Sequence, residues 1–90
     1  MNPSERAALL DQVRALIVDR LRLDRAPHQV DPDAPLFGAG LGLDSVDAVE
    51  LVVAIEELLD VDLPDGPAAR AVLRTPNRIV DHVVAQRSRA

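Results

Sequence analysis

The sequence predicts an all-α protein: a small antiparallel helical bundle of three main helices plus one short helix. Two observations lead there. Hydrophobic residues make up 48% of the chain, yet Phe37 is its sole aromatic, which suits aliphatic helix packing better than a sandwich. Apolar residues also recur at helical spacing in separated stretches, with proline and glycine in the intervals. Ninety residues are expected to form a single domain, 1–90. A chain this short buries only about 60–65% of its unfolded surface, so its helices must share one core.

The first helix is expected from Ser4 to Leu21, with Ser4 as N-cap. Leu9, Leu10, Val13, Leu16, Ile17 and Leu21 fall on one stripe. Arg20 and Arg22 sit near its end, where cations suit the helix dipole. The stretch "DRAPHQVDPDAPLFGAGLGLD" follows, and Pro27, Pro32 and Pro35 bar a regular helix from it. A loop this long inside a small domain is often functional. Leu36, Phe37 and Leu41 are expected to pin it to the core. The second helix should span Ser45 to Leu59, before "VDLPDG" breaks the chain at Pro64 and Gly66. A short helix over Pro67–Val72 comes next. The last helix opens at Thr75 as N-cap with Pro76 in the first helical position, and carries Ile79, Val80, Val83 and Val84 inward.

Composition removes several function classes. There is no cysteine, so disulfides, thiolate metal sites and cysteine nucleophiles are excluded. The opening "MNPSERAALLDQV" has no apolar signal-peptide core, and no apolar run approaches a membrane span. The expectation is a soluble, cytoplasmic protein, monomeric on its own. The formal charge is −5, and every basic residue is arginine. An acidic surface argues against nucleic acid and anionic membranes and favours basic protein partners.

The second helix separates into two faces. Ala48, Leu51, Val52, Ile55 and Leu59 point to the core. Asp47, Glu50 and Glu57 lie opposite, together with Val46, Val53 and Ala54. A solvated face is the plain reading of such a charge run. Yet these acids have no basic partner at i,i+4 within the helix, and exposed valines serve a merely solvated surface poorly. Acids around small apolar contacts suit a transient interface steered by charge.

At the entrance to this helix, "GLGLDSVDAVEL" places Ser45 between Asp44 and Val46-Asp47. Capping by Asp44 or Ser45 explains a polar residue here. It does not explain Gly40, Gly42, the long loop and the acidic stripe together. A hydrolase nucleophile needs an oriented base and an oxyanion hole, and His28 and His82 sit in no such context. "GLDSV" also lacks the closing glycine of a nucleophile elbow. No metal site is expected. "DVDLPDG" fails the calcium-loop spacing, because Asp65 and Gly66 fall one place late and Ala71 stands where the closing glutamate belongs.

The remaining role is a serine modified by another protein. "LGLDSVDAVELVVAIEELLDVDLPD" closely resembles the acyl carrier proteins of fatty-acid and polyketide synthesis. The resemblance runs over nearly the whole chain, from the first helix through the D-S motif to the "T-P-x-x-I-V" entrance of the last helix. It implies that Ser45, flanked by Asp44, carries a covalent 4′-phosphopantetheine arm derived from coenzyme A. The arm's thiol would hold the acyl cargo as a thioester, and the protein itself would catalyse nothing. A helix N-terminus would offer N–H groups to the arm's phosphodiester. Asp44 and Asp47 would limit how closely that anion settles, keeping the arm mobile.

The implied partners are a phosphopantetheinyl transferase and acyl-processing enzymes such as a ketosynthase, acyltransferase or ketoreductase. Val46, Asp47, Glu50, Val53 and Glu57 form the expected docking face. The faces of the second and last helices are expected to meet around Leu51, Ile55, Ile79 and Val83, with Leu73 nearby, as an acyl-chain pocket. Val46 stands where leucine is commoner in these carriers, and "DGPAARAVLR" is longer than the usual connection. "LFGAGLGLDS" is closer to discrete carriers of type II polyketide or specialised fatty-acid pathways. A peptidyl or aryl carrier, which favours G-G-[HD]-S, and a non-carrier helical adaptor remain as alternatives.

Overall fold

A computed structural model describes residues 2–37, 40 and 42–89. Its helices are α1 (Pro3–Arg20), α2 (Ser45–Leu59), α3 (Pro67–Val72) and α4 (Pro76–Arg89), with one 3₁₀ turn at Pro27–Gln29. This is the expected bundle of three long helices and one short one. Leu41, expected to pin the long loop, lies outside the described residues.

Helix α1 starts earlier than the sequence reading placed it. Its N-cap is Asn2, not Ser4: the Asn2 Oδ1 accepts the Glu5 N–H at 2.8 Å, and its amide donates to the Glu5 carboxylate at 3.0 Å. Pro3 fills the first helical position, where its missing N–H costs nothing. Asparagine caps as well as serine, and proline behind it fixes the start. At the other end Arg22 takes a left-handed φ of 52°. Leu23 N–H then reaches Val18 O at 3.0 Å and Arg22 N–H reaches Asp19 O at 3.3 Å, closing the last turn as a Schellman motif.

Helix α1 is the spine. It packs against both α2 and α4, while the backbones of α2 and α4 approach each other less closely; α3 leans on α4. Leu9, Val13, Leu16 and Ile17 of α1 share one core with Leu51, Ile55 and Leu59 of α2 and Ile79, Val80 and Val83 of α4. Leu10, Leu21, Ala48, Val52 and Val84 border it, half-buried. Ala54 was assigned to the outer face, yet it is fully buried. It stands on the flank of the stripe, where a single methyl is short enough for its neighbours to cover.

The long loop lies on the bundle rather than away from it. The radius of gyration is 12.1 Å, matching the roughly 12 Å of a compact chain of this length. Arg14 Nε donates to Val30 O at 2.8 Å. Asn77, in the first turn of α4, donates its backbone N–H to Pro32 O at 2.9 Å and its amide to Asp33 at 2.7 Å. Leu36 N–H reaches Arg74 O at 3.0 Å, and the Leu36 side chain is fully buried. The loop's prolines exclude long helix, so its polar groups find these distant partners instead.

Helix α4 opens as its sequence indicates, with Thr75 Oγ1 accepting the Arg78 N–H at 3.1 Å. Further along, α4 clasps the first part of the α2–α3 connection. Both His82 Nε2 and Gln86 Nε2 lie 2.8 Å from Asp62 O, and Gln86 also accepts the Asp62 N–H. His82 is thus a structural histidine. No metal-binding group of three or more His, Asp or Glu forms among the described residues, and no described helix is long and apolar enough to cross a membrane.

Candidate functional site

The site is built where the long loop enters α2. Gly42 takes a left-handed φ of 72°, turning the chain so that Leu43 N–H meets Leu36 O at 3.1 Å. Phe37 and Leu43 pair as an isolated parallel bridge. Gly40 lies against the earlier arm of the loop, so tightly that a Cβ there would fall 1.6 Å from Pro35 O. These contacts fix Leu43, and hence the two residues that follow it.

Asp44 is the N-cap of α2. Its Oδ1 accepts the N–H groups of Val46 and Asp47, each at 3.0 Å, and Asp47 Oδ2 accepts the Asp44 N–H at 3.0 Å. This is a closed capping box. Capping was open between Asp44 and Ser45, and the geometry gives it to Asp44. Ser45 is the first residue of the helix, exposed, and its hydroxyl bonds to no described side chain or backbone group. The expectation that the helix start offers its N–H groups to a phosphodiester is narrowed, since two of them are already taken. The N–H groups of Val46 and Asp47 already serve Asp44.

Ser45 sits on the rim of an open groove of about 720 Å³. One wall is the loop and the start of α2, with Pro35, Phe37, Leu43, Asp44 and Ala48; the other is α3 and its exit, with Pro67, Arg70, Ala71 and Arg74. The groove is mostly apolar inside, with two cations on the α3 side. Sequence reading did not single out Arg70 or Arg74, because nothing local places α3 opposite Ser45. An exposed serine hydroxyl with open space beside it fits a flexible arm joined through a phosphodiester.

The expected docking residues are exposed on α2, except Asp47, which is half-buried in the capping box. Val46 is 70% exposed and Val53 44%. Two further apolar side chains join them, Val49 at 64% and Leu58 at 57%. Val49 was legible, since it continues Val46 and Val53 at helical spacing. Glu57 has one basic neighbour from another helix, Arg20 of α1 at 4.0 Å. Both side chains are solvated, so this pair contributes little.

Leu51, Ile55, Leu73, Ile79 and Val83 all lie in the shared core, none more than 1% exposed. They do not line the groove beside Ser45. The structure therefore shows two apolar regions near the site: an open groove at the α2–α3 side and a closed core behind it.

Comparison with known proteins agrees with this geometry. Residues 11–83 match the family described as "Phosphopantetheine attachment site". The chain is 39% identical over 83 residues to an acyl carrier protein of Thermosynechococcus vestitus, covering 92% of this chain and 93% of that protein. It is 42% identical over 65 residues to an acyl carrier protein of Helicobacter pylori strain J99, covering 72% and 80%. An acyl carrier protein of Cyanidioschyzon merolae is 37% identical over 76 residues, covering 84% of this chain and 78% of that protein.

Proposed function

The chain belongs to the acyl carrier proteins of the phosphopantetheine-attachment family, and from that premise we propose that Ser45 is the residue that bears the arm. Members of this family are carriers rather than enzymes, and the prosthetic group is a covalent 4′-phosphopantetheine. When attached, it supplies a terminal thiol that holds an acyl group as a thioester. The observation that carries the assignment of Ser45 is the division of labour at the start of α2. Asp44 does the capping, so the neighbouring hydroxyl is exposed and, among the described residues, unengaged.

The residues around Ser45 then have distinct tasks. Gly40 and Gly42 let the loop fold tightly enough to hold Leu43 in place. The capping box keeps the first turn rigid, so a transferase meets Ser45 in one geometry. In loading, the Ser45 oxygen displaces adenosine 3′,5′-bisphosphate from coenzyme A at phosphorus, and the hydroxyl proton passes to a base outside this chain. Val46, Glu50, Val53 and Glu57 offer apolar contacts rimmed by acids to the basic surfaces of acyl-processing enzymes. Such a surface steers encounters without binding tightly, which suits a carrier that must leave each enzyme.

We further propose a discrete carrier of a type II synthase, in polyketide or specialised fatty-acid biosynthesis, with the domain 1–90 as the working unit. The "LFGAGLGLDS" loop supports this finer reading. Mass spectrometry of the protein recovered from its own cell tests it. A polyketide or unusual acyl thioester on Ser45 supports the reading; an aminoacyl or aryl thioester overturns it.

A further inference from the structure

The start of α2 is crowded with negative charge. Asp44 and Asp47 flank Ser45, and their capping box takes up the N–H groups of Val46 and Asp47. A phosphodiester on Ser45 places a third anion in the same turn, where the helix has little left to donate. The groove that Ser45 borders carries positive charge on its opposite wall. Arg70, on α3, and Arg74, just past its C-cap, both line it. Among the described residues neither forms an ion pair, so both guanidinium groups are open to an anion in the groove. The other α3 groups on that wall, Pro67 and Ala71, are short, so the guanidinium groups are its far-reaching members.

We propose that Arg70 and Arg74 hold the phosphodiester of the arm and lay its first atoms along the floor made by Phe37, Leu43 and Ala48. Guanidinium donors match phosphate oxygens in geometry as well as charge. The anchored arm starts inside the groove rather than in solvent, which reverses the expectation that Asp44 and Asp47 keep it mobile. Both arginines are exposed, so the anchor loosens as salt rises. The inference rests on Ser45 being the attachment residue.

The test compares apo and holo protein by NMR after mass spectrometry has located the arm. On loading, the side-chain Nε–H signals of Arg70 and Arg74 shift, while that of Arg78, away from the groove, stays in place. The ³¹P resonance of the holo protein lies away from its position in urea-unfolded holo protein. Arg70→Ala with Arg74→Ala moves it toward the unfolded position, and Arg70→Lys with Arg74→Lys keeps part of the displacement. A fully loaded protein whose arginine signals do not move, or whose ³¹P position ignores the double alanine variant, overturns the anchor alone. A protein that takes no arm at Ser45 overturns the attachment reading, and the anchor with it.

Discussion

Asp44 and Asp47 close a reciprocal pair of hydrogen bonds around Ser45, each carboxylate accepting the other's backbone N–H at 3.0 Å. The two acids of the D-S-x-D sequence are thus structural at close range, whatever they do for partners. Neither bond uses the Ser45 side chain.

That relationship separates the two residues by stability. Asp44→Ala removes the cap and costs about 1 kcal/mol, a fall in melting temperature of about 4–8 °C for a domain of this size. Asp44→Asn retains most of the cap. Ser45→Ala leaves the melting temperature nearly unchanged, because alanine suits a helix and no capping bond is lost. Equal losses in thermal scans of Asp44→Ala and Ser45→Ala would contradict the assignment of the cap.

Gly40 is required for a different reason. A methyl there collides with the Pro35 carbonyl, which is backbone and not the far end of a flexible side chain. Gly40→Ala should destabilise by about 1–3 kcal/mol, the usual range for overpacking. Urea unfolding measures it; an unchanged midpoint would mean that the loop yields freely.

The partner face gives a kinetic prediction. Glu50→Lys and Glu57→Lys should slow transfer to and from partner enzymes most at low salt, where steering is strongest. Their stability should stay within about 0.5 kcal/mol of the parent. Asp47→Lys is not an equivalent probe, because it also breaks the capping box. Parental transfer rates for both glutamate variants at low salt would remove the acidic stripe from recognition.

Much of this was legible in the sequence, and the exceptions have local causes. The bounds of α2 and α3 and the Thr75 cap follow from proline, glycine and helical spacing. The true start of α1 was also written there, in Asn2, Pro3 and Glu5, but Ser4 is an equally good capping residue and drew the boundary inward. Ala54 went to the wrong face because angle alone does not say how far a neighbouring chain reaches. The clasp of Asp62 by His82 and Gln86, and the placing of Arg70 and Arg74 opposite Ser45, join residues far apart in sequence. No local pattern encodes them.

The closed core raises the question of where a cargo goes. The α2 and α4 backbones stand apart, and Leu51, Ile55, Ile79 and Val83 fill the space with aliphatic side chains. We predict that a medium-length saturated chain parts these residues and Leu73, gaining about 0.8 kcal/mol per buried CH₂ less the cost of opening. The loaded carrier should melt higher than one bearing the arm alone, with NMR shifts at Leu51, Ile55, Leu73 and Ile79. Identical melting, with shifts confined to Ser45 and the Phe37–Leu43 groove, would place the chain outside the core.

The central claim is that Ser45 bears the arm. The direct measurement is intact and peptide mass spectrometry after incubation with coenzyme A, magnesium and a broad-specificity phosphopantetheinyl transferase. The protein should gain one phosphopantetheine group on Ser45, and a folded Ser45→Ala variant should gain none. Modification at Ser4 or Ser88, or loading of Ser45→Ala, would contradict the account.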